Sequence, residues 1–264
     1  MRSGVPTVVA ALCLTLAAPA HATPVDVELV LAVDVSESMD RQEFAVQRAG
    51  YVAALRDPAF IRAARSGPNR RVAITYFEWA GSVRTASSVP WQIIDSAESA
   101  YAFAARLESR PFSAFRGTSI SNALSFAVKS LDSNRFDGAR RIIDISGDGP
   151  NNFGPPVASA RDAAVERGVT VNGLPVLIRP SPIFPDVSRY YAQCVVGGPG
   201  SFVLPVRAVS EFATAIRRKL IMEVSGAPGI DPVVQAAVDA PVDCMIGERI
   251  RRSLSDRYYP ELDR

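Results

Sequence analysis

The chain has 264 residues, of which 48% are hydrophobic and 21% are charged, and its formal net charge is +2. This composition is typical of a globular protein, and a chain of this length buries a sizeable core without needing metals or disulfides. Because the net charge is small and no block of Lys and Arg stands out, the sequence lacks the basic stripe of a nucleic-acid binder. We therefore expect no nucleic-acid partner.

The first 22 residues have the pattern of a secretory signal peptide. Arg2 precedes an apolar run over residues 8–18, and Ala20-His21-Ala22 has the small-x-small pattern that signal peptidase reads. We predict cleavage after Ala22 and a periplasmic or secreted mature protein with no transmembrane segment. The alternative is a retained N-terminal anchor, although the apolar run is short for a bilayer span.

Cleavage at this position would change the chemistry open to the mature chain. It would remove Cys13 and the single histidine, His21. A chain without histidine cannot build a Ser-His-Asp triad or a histidine-ligated zinc site. Cys194 and Cys244 would remain, and an even number of cysteines in an oxidising compartment predicts a disulfide between them. Two separate buried thiols are the alternative.

Apolar runs and helical periodicities alternate along the rest of the chain. Strands are predicted at residues 27–33, 71–79, 82–89, 142–146, 169–178 and 202–206. Helices are predicted at residues 44–55, 96–108, 118–131, 157–167, 186–194 and 209–222. This alternation predicts an α/β domain over residues 23–222, with a doubly wound, mostly parallel sheet and helices on both faces. Residues 223–264 are predicted to be a C-terminal extension, with a loop at 226–241 and a helix at 244–259, packed on or near the domain.

Oxygen-bearing side chains stand where the predicted strands end, which is where open parallel sheets bind ligands. They are Asp34, Ser36 and Ser38 after the first strand, Thr118 at the start of a helix, and Asp148 after the fourth strand. The alternation in Asp34-x-Ser36-x-Ser38 turns these side chains to one side of an extended segment. Hard oxygen ligands favour Mg²⁺, with Mn²⁺ or Ca²⁺ as alternatives.

This set of residues resembles the metal-ion-dependent adhesion site (MIDAS) of von Willebrand factor A (VWA) domains, over about residues 26–222. A bacterial family of exported VWA-like proteins of unknown function has local sequences similar to WAG at 79–81, VPW at 89–91, IDISGDGPNN at 143–152 and NGLP at 172–175. The resemblance implies one divalent cation, bound directly by Ser36, Ser38 and Thr118, and by Asp34 and Asp148 directly or through water. It also implies an open coordination position for a carboxylate of a partner protein.

The alternative interpretation is that these residues cap helices, with Ser38 or Asp40 before one helix and Thr118 before another. Any one of them alone is more typical of a cap than of a ligand, whereas all five in these loops favour a metal site. Four further residues are predicted to shape the rim of the site, with solvated loop positions as the alternative. These rim residues are Glu37, Asp40, Asn151 and Asn152.

Charged residues outside this set have structural interpretations. Asp144 lies within an apolar strand, where an unpaired carboxylate would be costly, so we expect an arginine or a backbone group as its partner. Arginines at positions 249, 251, 252 and 257 are predicted to form a solvated helix face, with binding of an acidic surface as the alternative.

The leading functional hypothesis is an exported, non-enzymatic binding module that captures an acidic residue of a partner protein through the bound cation. It depends on a full ligand set with no accompanying base or nucleophile. One alternative is a metal-dependent hydrolase or phosphatase with Asp34 as nucleophile, although Ser36 stands where that chemistry usually has a second carboxylate. Another is a structural subunit of an envelope complex that docks through residues 223–264.

Overall fold

The structure is a computed structural model that describes residues 22–39, 41–111, 115–179, 184, 186–226 and 241–258. Its strands are β1 (Thr23–Asp34), β2 (Val72–Trp79), β3 (Val83–Ile94), β4 (Phe136–Gly147) and β5 (Val169–Pro175). They form one sheet in the order β3-β2-β1-β4-β5. β1, β2, β4 and β5 are parallel, and β3 is antiparallel to β2.

Helices connect these strands and continue beyond the last one. They are α1 (Arg41–Arg56), α2 (Pro58–Ala64), α3 (Ala97–Glu108), α4 (Ile120–Asp132), α5 (Val157–Val165), α6 (Val187–Tyr190), α7 (Phe212–Ser225) and α8 (Ile246–Tyr258). A π-helical turn, Tyr191–Val195, continues α6, and a 3-10 turn, Val209–Glu211, precedes α7. No helix of the described part of the chain is long and apolar enough to cross a membrane.

The central strand β1 faces two hydrophobic cores, one on each side of the sheet. Leu29 and Leu31 pack in the core that includes residues of α1, α2, α3 and α7. Val30 and Ala32 pack in the opposite core, with residues of α4 and α5. Because both faces are covered, β1 is apolar without interruption from Leu29 to Val33, as is typical of buried parallel strands. The predicted α/β fold, with a mostly parallel sheet and helices on both faces, is confirmed.

The strand predicted at residues 202–206 is wrong. This segment runs beside β5 but makes only isolated parallel bridges, to Gly173 and Val176. Leu204 N and Val206 N donate to the carbonyls of Gly173 and Pro175, but Pro175 has no N–H for the Leu204 carbonyl, so the hydrogen-bond ladder is interrupted between the two bridges.

A short helix, α2, was not predicted from the sequence. The dipeptide Asp57-Pro58 ends α1, as expected, and it also begins α2. Asp57 Oδ1 accepts a hydrogen bond from Ala59 N at 2.7 Å, and proline occupies the first turn, so a capped helix begins with only Asp57 between it and α1.

A disulfide joins Cys194 to Cys244, with the two Cα atoms 5.5 Å apart. Cys194 belongs to the π-helical turn after α6, and Cys244 lies two residues before α8. The C-terminal helix is thereby linked covalently to the domain. Most of the predicted loop at 226–241 lies outside the described residues, since only 226 and 241 belong to them.

An ion cluster is buried between α7 and the sheet. Lys219 Nζ lies 2.7 Å from Asp144 Oδ1 and also contacts Glu223, and each of these side chains is at most 1% exposed. Asn172 donates a hydrogen bond to Glu223 Oε1 at 3.0 Å. Burial raises the pKa of Asp144 and raises the pKa of Glu223 to about 7, although the charge of Lys219 opposes both shifts. The arginine or backbone partner expected for Asp144 is therefore wrong, because its partner is this lysine.

Replacement of Glu223 with Gln should make the stability of the protein less dependent on pH. Between pH 4.5, the ordinary pKa of glutamate, and about 7, the folded state keeps a proton on Glu223 that the unfolded state releases. The free energy of unfolding therefore falls as the pH rises, by up to about 1.4 kcal/mol per pH unit. Urea unfolding across this range should show that this contribution is absent from Glu223→Gln. The exposed Glu108→Gln is the control, and equal slopes for all three proteins would contradict the prediction.

Candidate metal centre

The two predicted carboxylate ligands lie side by side at the carboxyl-terminal edge of the sheet. Asp34 is the last residue of β1, and Asp148 is the first residue after β4. β1 and β4 are parallel neighbours with Val33 paired to Ser146, so the two strands end at the same level. The sheet therefore brings together two side chains that are 114 positions apart in the sequence.

Hydrogen bonds connect four of the five predicted ligands in one continuous series. Ser36 N donates to Asp34 Oδ1 at 2.7 Å, which turns the backbone after β1. The hydroxyl oxygens of Ser36 and Ser38 are 2.9 Å apart, and Ser38 Oγ donates to Asp148 Oδ1 at 2.7 Å. The serine hydroxyls thus face the same point as the carboxylates.

Thr118, the fifth predicted ligand, is attached to the loop that follows Asp148. Its N–H donates to Asn152 Oδ1 at 2.9 Å, and Asn152 N donates back to the Thr118 carbonyl at 2.9 Å. The prediction that Thr118 opens the helix is wrong, because α4 begins two residues later. Ser119 is the N-cap, and its Oγ accepts a hydrogen bond from Asn122 N at 3.3 Å. The Thr118 hydroxyl is therefore not used as the cap of this helix.

Glycines position the Thr118 loop against the end of β2. Gly117 has a φ of 80°, a left-handed conformation that favours glycine. Gly81 N donates to the Arg116 carbonyl at 3.1 Å, and Ser119 N donates to the Ala80 carbonyl at 2.9 Å. A Cβ at Gly81 would lie 2.7 Å from the Arg116 oxygen, so only glycine allows this approach.

Asp34 has one carboxylate oxygen with no hydrogen-bond partner among the described residues. The residue is fully buried, and the atom without a partner is Oδ2. The buried hydroxyl of Tyr191 has no partner there either. A Cβ at Gly147 would lie 2.8 Å from Asp34 Oδ2 and 2.7 Å from Tyr191 Oη, so both atoms border the same narrow space. Tyr191 was not predicted as part of the site, and its place in a short helical segment gave no signal for it.

The two carboxylates lie in an environment that disfavours their negative charges. Burial raises the pKa of Asp34 well above its ordinary value, and the charge of Asp148 raises it further. Burial also raises the pKa of Asp148, as does the charge of Glu43. Arg179 opposes this second shift, but it forms an ion pair with Glu43 and donates to the Ser38 carbonyl at 3.3 Å. A divalent cation among these oxygens would stabilise both ionised carboxylates.

The donor set fits a hard divalent cation. It consists of two carboxylates and three hydroxyls, and oxygen ligands of this kind suit Mg²⁺, Mn²⁺ or Ca²⁺. The described residues contain no group of three or more His, Cys, Asp or Glu side chains that could hold a metal. A cation at this site would therefore depend on the serine and threonine hydroxyls as well as on the two aspartates.

A cavity of about 320 Å³ opens directly onto the site. Ser38, Thr118 and Asp148 form its polar side. The loop that follows β4 and the C-terminal helix α8 supply most of the remaining wall. These other lining residues are Gly149, Pro150, Asn152, Phe184, Gly247, Ile250, Arg251 and Leu254.

The predicted rim residues have different environments. Glu37 is exposed and lies 3.3 Å from Arg116 in an ion pair, and Asn152 lines the cavity. Asn151 is fully buried, so the alternative of a solvated loop position does not describe it. Its side chain accepts a hydrogen bond from Ser121 N at 3.1 Å and instead holds loops together. Asp40 lies outside the described residues.

The central parallel sheet, the helices on both faces and the Asp-x-Ser-x-Ser loop define a VWA-like domain. The chain belongs to the family described as "Protein of unknown function (DUF1194)", whose sequence profile matches residues 24–228. None of the curated proteins compared with the chain matches it significantly.

Solved structures with the same fold come from different organisms. A von Willebrand factor type A protein from Catenulispora acidiphila is 17% identical, with a TM-score of 0.54 over 76% of this chain and 43% of that one. The pilus adhesin SpaC from Lactobacillus rhamnosus GG is 15% identical, with a TM-score of 0.54 over 76% and 30%. Proximal thread matrix protein 1 from the mussel byssus, with a zinc-occupied MIDAS motif, is 16% identical, with a TM-score of 0.52 over 78% and 48%. The chain thus spans less than half the length of these proteins, and the likeness shows the fold.

Proposed function

We propose that this protein is an exported binding module that holds a divalent cation and uses it to bind a carboxylate of a partner protein. The observation that carries the proposal is the hydrogen-bonded chain from Asp34 through Ser36 and Ser38 to Asp148. Ser38 and Asp148, the last two residues of this hydrogen-bonded series, line a cavity that Thr118 also lines. The five side chains would hold the cation, and Mg²⁺ suits them best because all their donor atoms are hard oxygens.

The cation would give the protein a positive charge at the base of the cavity, where Asp148 supplies a negative one. A ligand carboxylate entering the cavity would meet the cation, whereas without the cation it would meet the carboxylate of Asp148. Binding of an acidic partner should therefore require the metal. The adhesin and the byssus matrix protein with the same fold support a role in protein binding, and the predicted signal peptide supports action outside the cytoplasm.

The alternative of a hydrolase with Asp34 as nucleophile has little support in the site. The side chain of Asp34 is fully buried, and its Oδ1 accepts a hydrogen bond from the backbone. The residue two positions on is Ser36, which cannot act as the acid-base carboxylate. We therefore propose a binding function rather than catalysis.

Calorimetric titration of the purified protein with Mg²⁺ and with Mn²⁺ tests the metal site. We expect saturable one-to-one binding that weakens by at least about 100-fold in Asp148→Ala, since loss of even an outer-shell partner typically costs 10- to 100-fold. Thr118→Val keeps the shape of the side chain and removes its hydroxyl, and it should also weaken binding.

Glu37→Gln is the matched control, because it removes a negative charge from the loop of Ser36 and Ser38, at an exposed side chain that pairs with Arg116. This variant should bind the cation as the wild type does. Equal affinities of the wild type and Asp148→Ala, or no binding to either, would refute the metal site and leave only the fold.

A further inference from the structure

The C-terminal helix α8 is fixed beside the candidate metal centre. The disulfide of Cys244 holds the residues just before it, and Tyr190 Oη donates to the Cys244 carbonyl at 3.3 Å. Gly247, in the first turn of α8, lies so close to the Asn151 carbonyl that a Cβ would overlap this oxygen. The family match ends at residue 228, so this helix lies beyond the matched region.

Polar contacts join α8 to the loop that follows Asp148. Asn151 donates Nδ2 to Glu248 Oε1 at 2.7 Å, and Arg251 Nη1 donates to the Asn152 carbonyl at 3.3 Å. The Arg251 guanidinium also lies 4.5 Å from the centre of the Phe153 ring. These contacts place α8 as one wall of the cavity above Ser38, Thr118 and Asp148.

An apolar stripe on α8 runs from the core into this cavity. Ile246, Ile250 and Leu254 are spaced by four residues, so they lie on one side of the helix. Ile246 packs against the hydrophobic core, whereas Ile250 and Leu254 line the cavity, and Leu254 is 37% exposed. Phe184 faces the same space from the body of the domain. The wall next to the candidate metal ligands is thus apolar.

A positive charge borders the same wall. Arg251 lines the cavity, and among the described residues it forms no ion pair with an acidic side chain. Its neighbours on the helix differ, since Arg249 pairs with Asp243 and Glu248 bonds to Asn151. Arg251 is exposed, as expected for a solvated helix face, and its charge is complementary to an anionic ligand.

We propose that α8 selects the partner, and that the cavity binds a peptide segment in which an acidic residue is flanked by an apolar one. The acidic side chain would lie at the metal centre within reach of Arg251. The apolar side chain would lie against Ile250, Leu254 and Phe184. This inference rests on the proposed function, because the acidic side chain is placed there by the cation.

The test uses three fluorescein-labelled nine-residue peptides that differ only at the centre, which is Leu-Asp-Leu, Ser-Asp-Ser or Leu-Asn-Leu. Fluorescence anisotropy is measured on the full protein with saturating Mg²⁺ and again with EDTA. We expect the Leu-Asp-Leu peptide to bind about tenfold more tightly than Ser-Asp-Ser, since partial burial of a leucine has an effect of this size. The Leu-Asn-Leu peptide should bind at least about tenfold more weakly than the Leu-Asp-Leu peptide.

Two variants of α8 separate its apolar and charged contributions. Leu254→Ser should abolish the preference for leucine, whereas Val209→Ser should keep it. Val209 is a matched control because it is also 37% exposed and does not line the cavity. Arg251→Gln should weaken both acidic peptides by about the same factor and leave the preference for leucine unchanged.

The outcomes distinguish this inference from the proposed function. If both acidic peptides bind equally and only with Mg²⁺, or if no peptide binds while Mg²⁺ titrates normally, α8 is not a selective wall and the inference is overturned. If the leucine preference depends on Leu254 but persists in EDTA, the role of α8 stands and the cation-dependent function fails.

Discussion

Replacement of Lys219 with Met should lower the free energy of unfolding by about 3 to 5 kcal/mol, because it leaves two buried carboxylates without their cation. Lys219 contacts both Asp144 and Glu223, and all three side chains are at most 1% exposed. The nearby Phe202 ring, whose centre is 5.3 Å from Lys219 Nζ, cannot replace the lost charge. Urea unfolding at pH 7 measures the difference.

The matched control for this prediction is Lys129→Met, which changes the other lysine of the chain at an exposed position on α4. It should alter stability by no more than about 0.5 kcal/mol. The loss in Lys219→Met should also shrink at low pH, because protonation neutralises the two carboxylates. A loss of the same size for both lysines, or one that does not change with pH, would show that the buried charges are not its cause.

Removal of the disulfide should lower the free energy of unfolding by about 4 kcal/mol on the chain-entropy model. The bridge joins cysteines that are 50 positions apart, so it strongly restricts the unfolded chain. The double variant Cys194→Ala with Cys244→Ala is used rather than serine variants, because serine would bury a hydroxyl at position 194, which is fully buried. Denaturant unfolding of this variant and of the oxidised wild type gives the effect.

The reduced wild type serves as the control, since it breaks the bridge without changing the sequence and should resemble the double variant. Binding of Mg²⁺ should survive in both, because the five candidate ligands belong to the central sheet and its loops. A difference in unfolding free energy below about 1 kcal/mol would mean that the unfolded chain is already restricted by other contacts, or that the bridge strains the native state.

The sequence predicted the sheet well because its signals are local. The apolar run of β1 and the interruption at Gly147 mark strands and their ends, and a ligand site at the carboxyl edge follows from the parallel order. The proximity of Asp34, Ser36, Ser38 and Asp148 follows in turn, since the first three are neighbours in sequence and the fourth ends the adjacent strand.

Features that depend on distant packing were not predicted. The pairing of Asp144 with Lys219 joins positions 75 residues apart, and no periodicity connects them. Tyr191 and Asn151 have no local signal for burial at the site, because their partners lie on other elements. The helical pattern of α8 does not indicate that its apolar side borders the cavity either, since that depends on where α8 packs against the domain.

The parallel pairing of β1 with β4 also determines how the candidate centre tolerates changes of length. Adjacent strands are about 4.8 Å apart, so the separation of the Asp34 and Asp148 backbones follows from the hydrogen-bond ladder rather than from any loop. Insertions in the connections between these strands leave that spacing intact. Deletion of one residue within β4 instead moves Asp148 by one position along the ladder. The side chains between the deletion and Asp148 then point to the opposite face of the sheet. The backbone ladder therefore sets the spacing of the two aspartates, and natural variation in length should accumulate in connecting segments away from Ser36, Ser38 and Thr118.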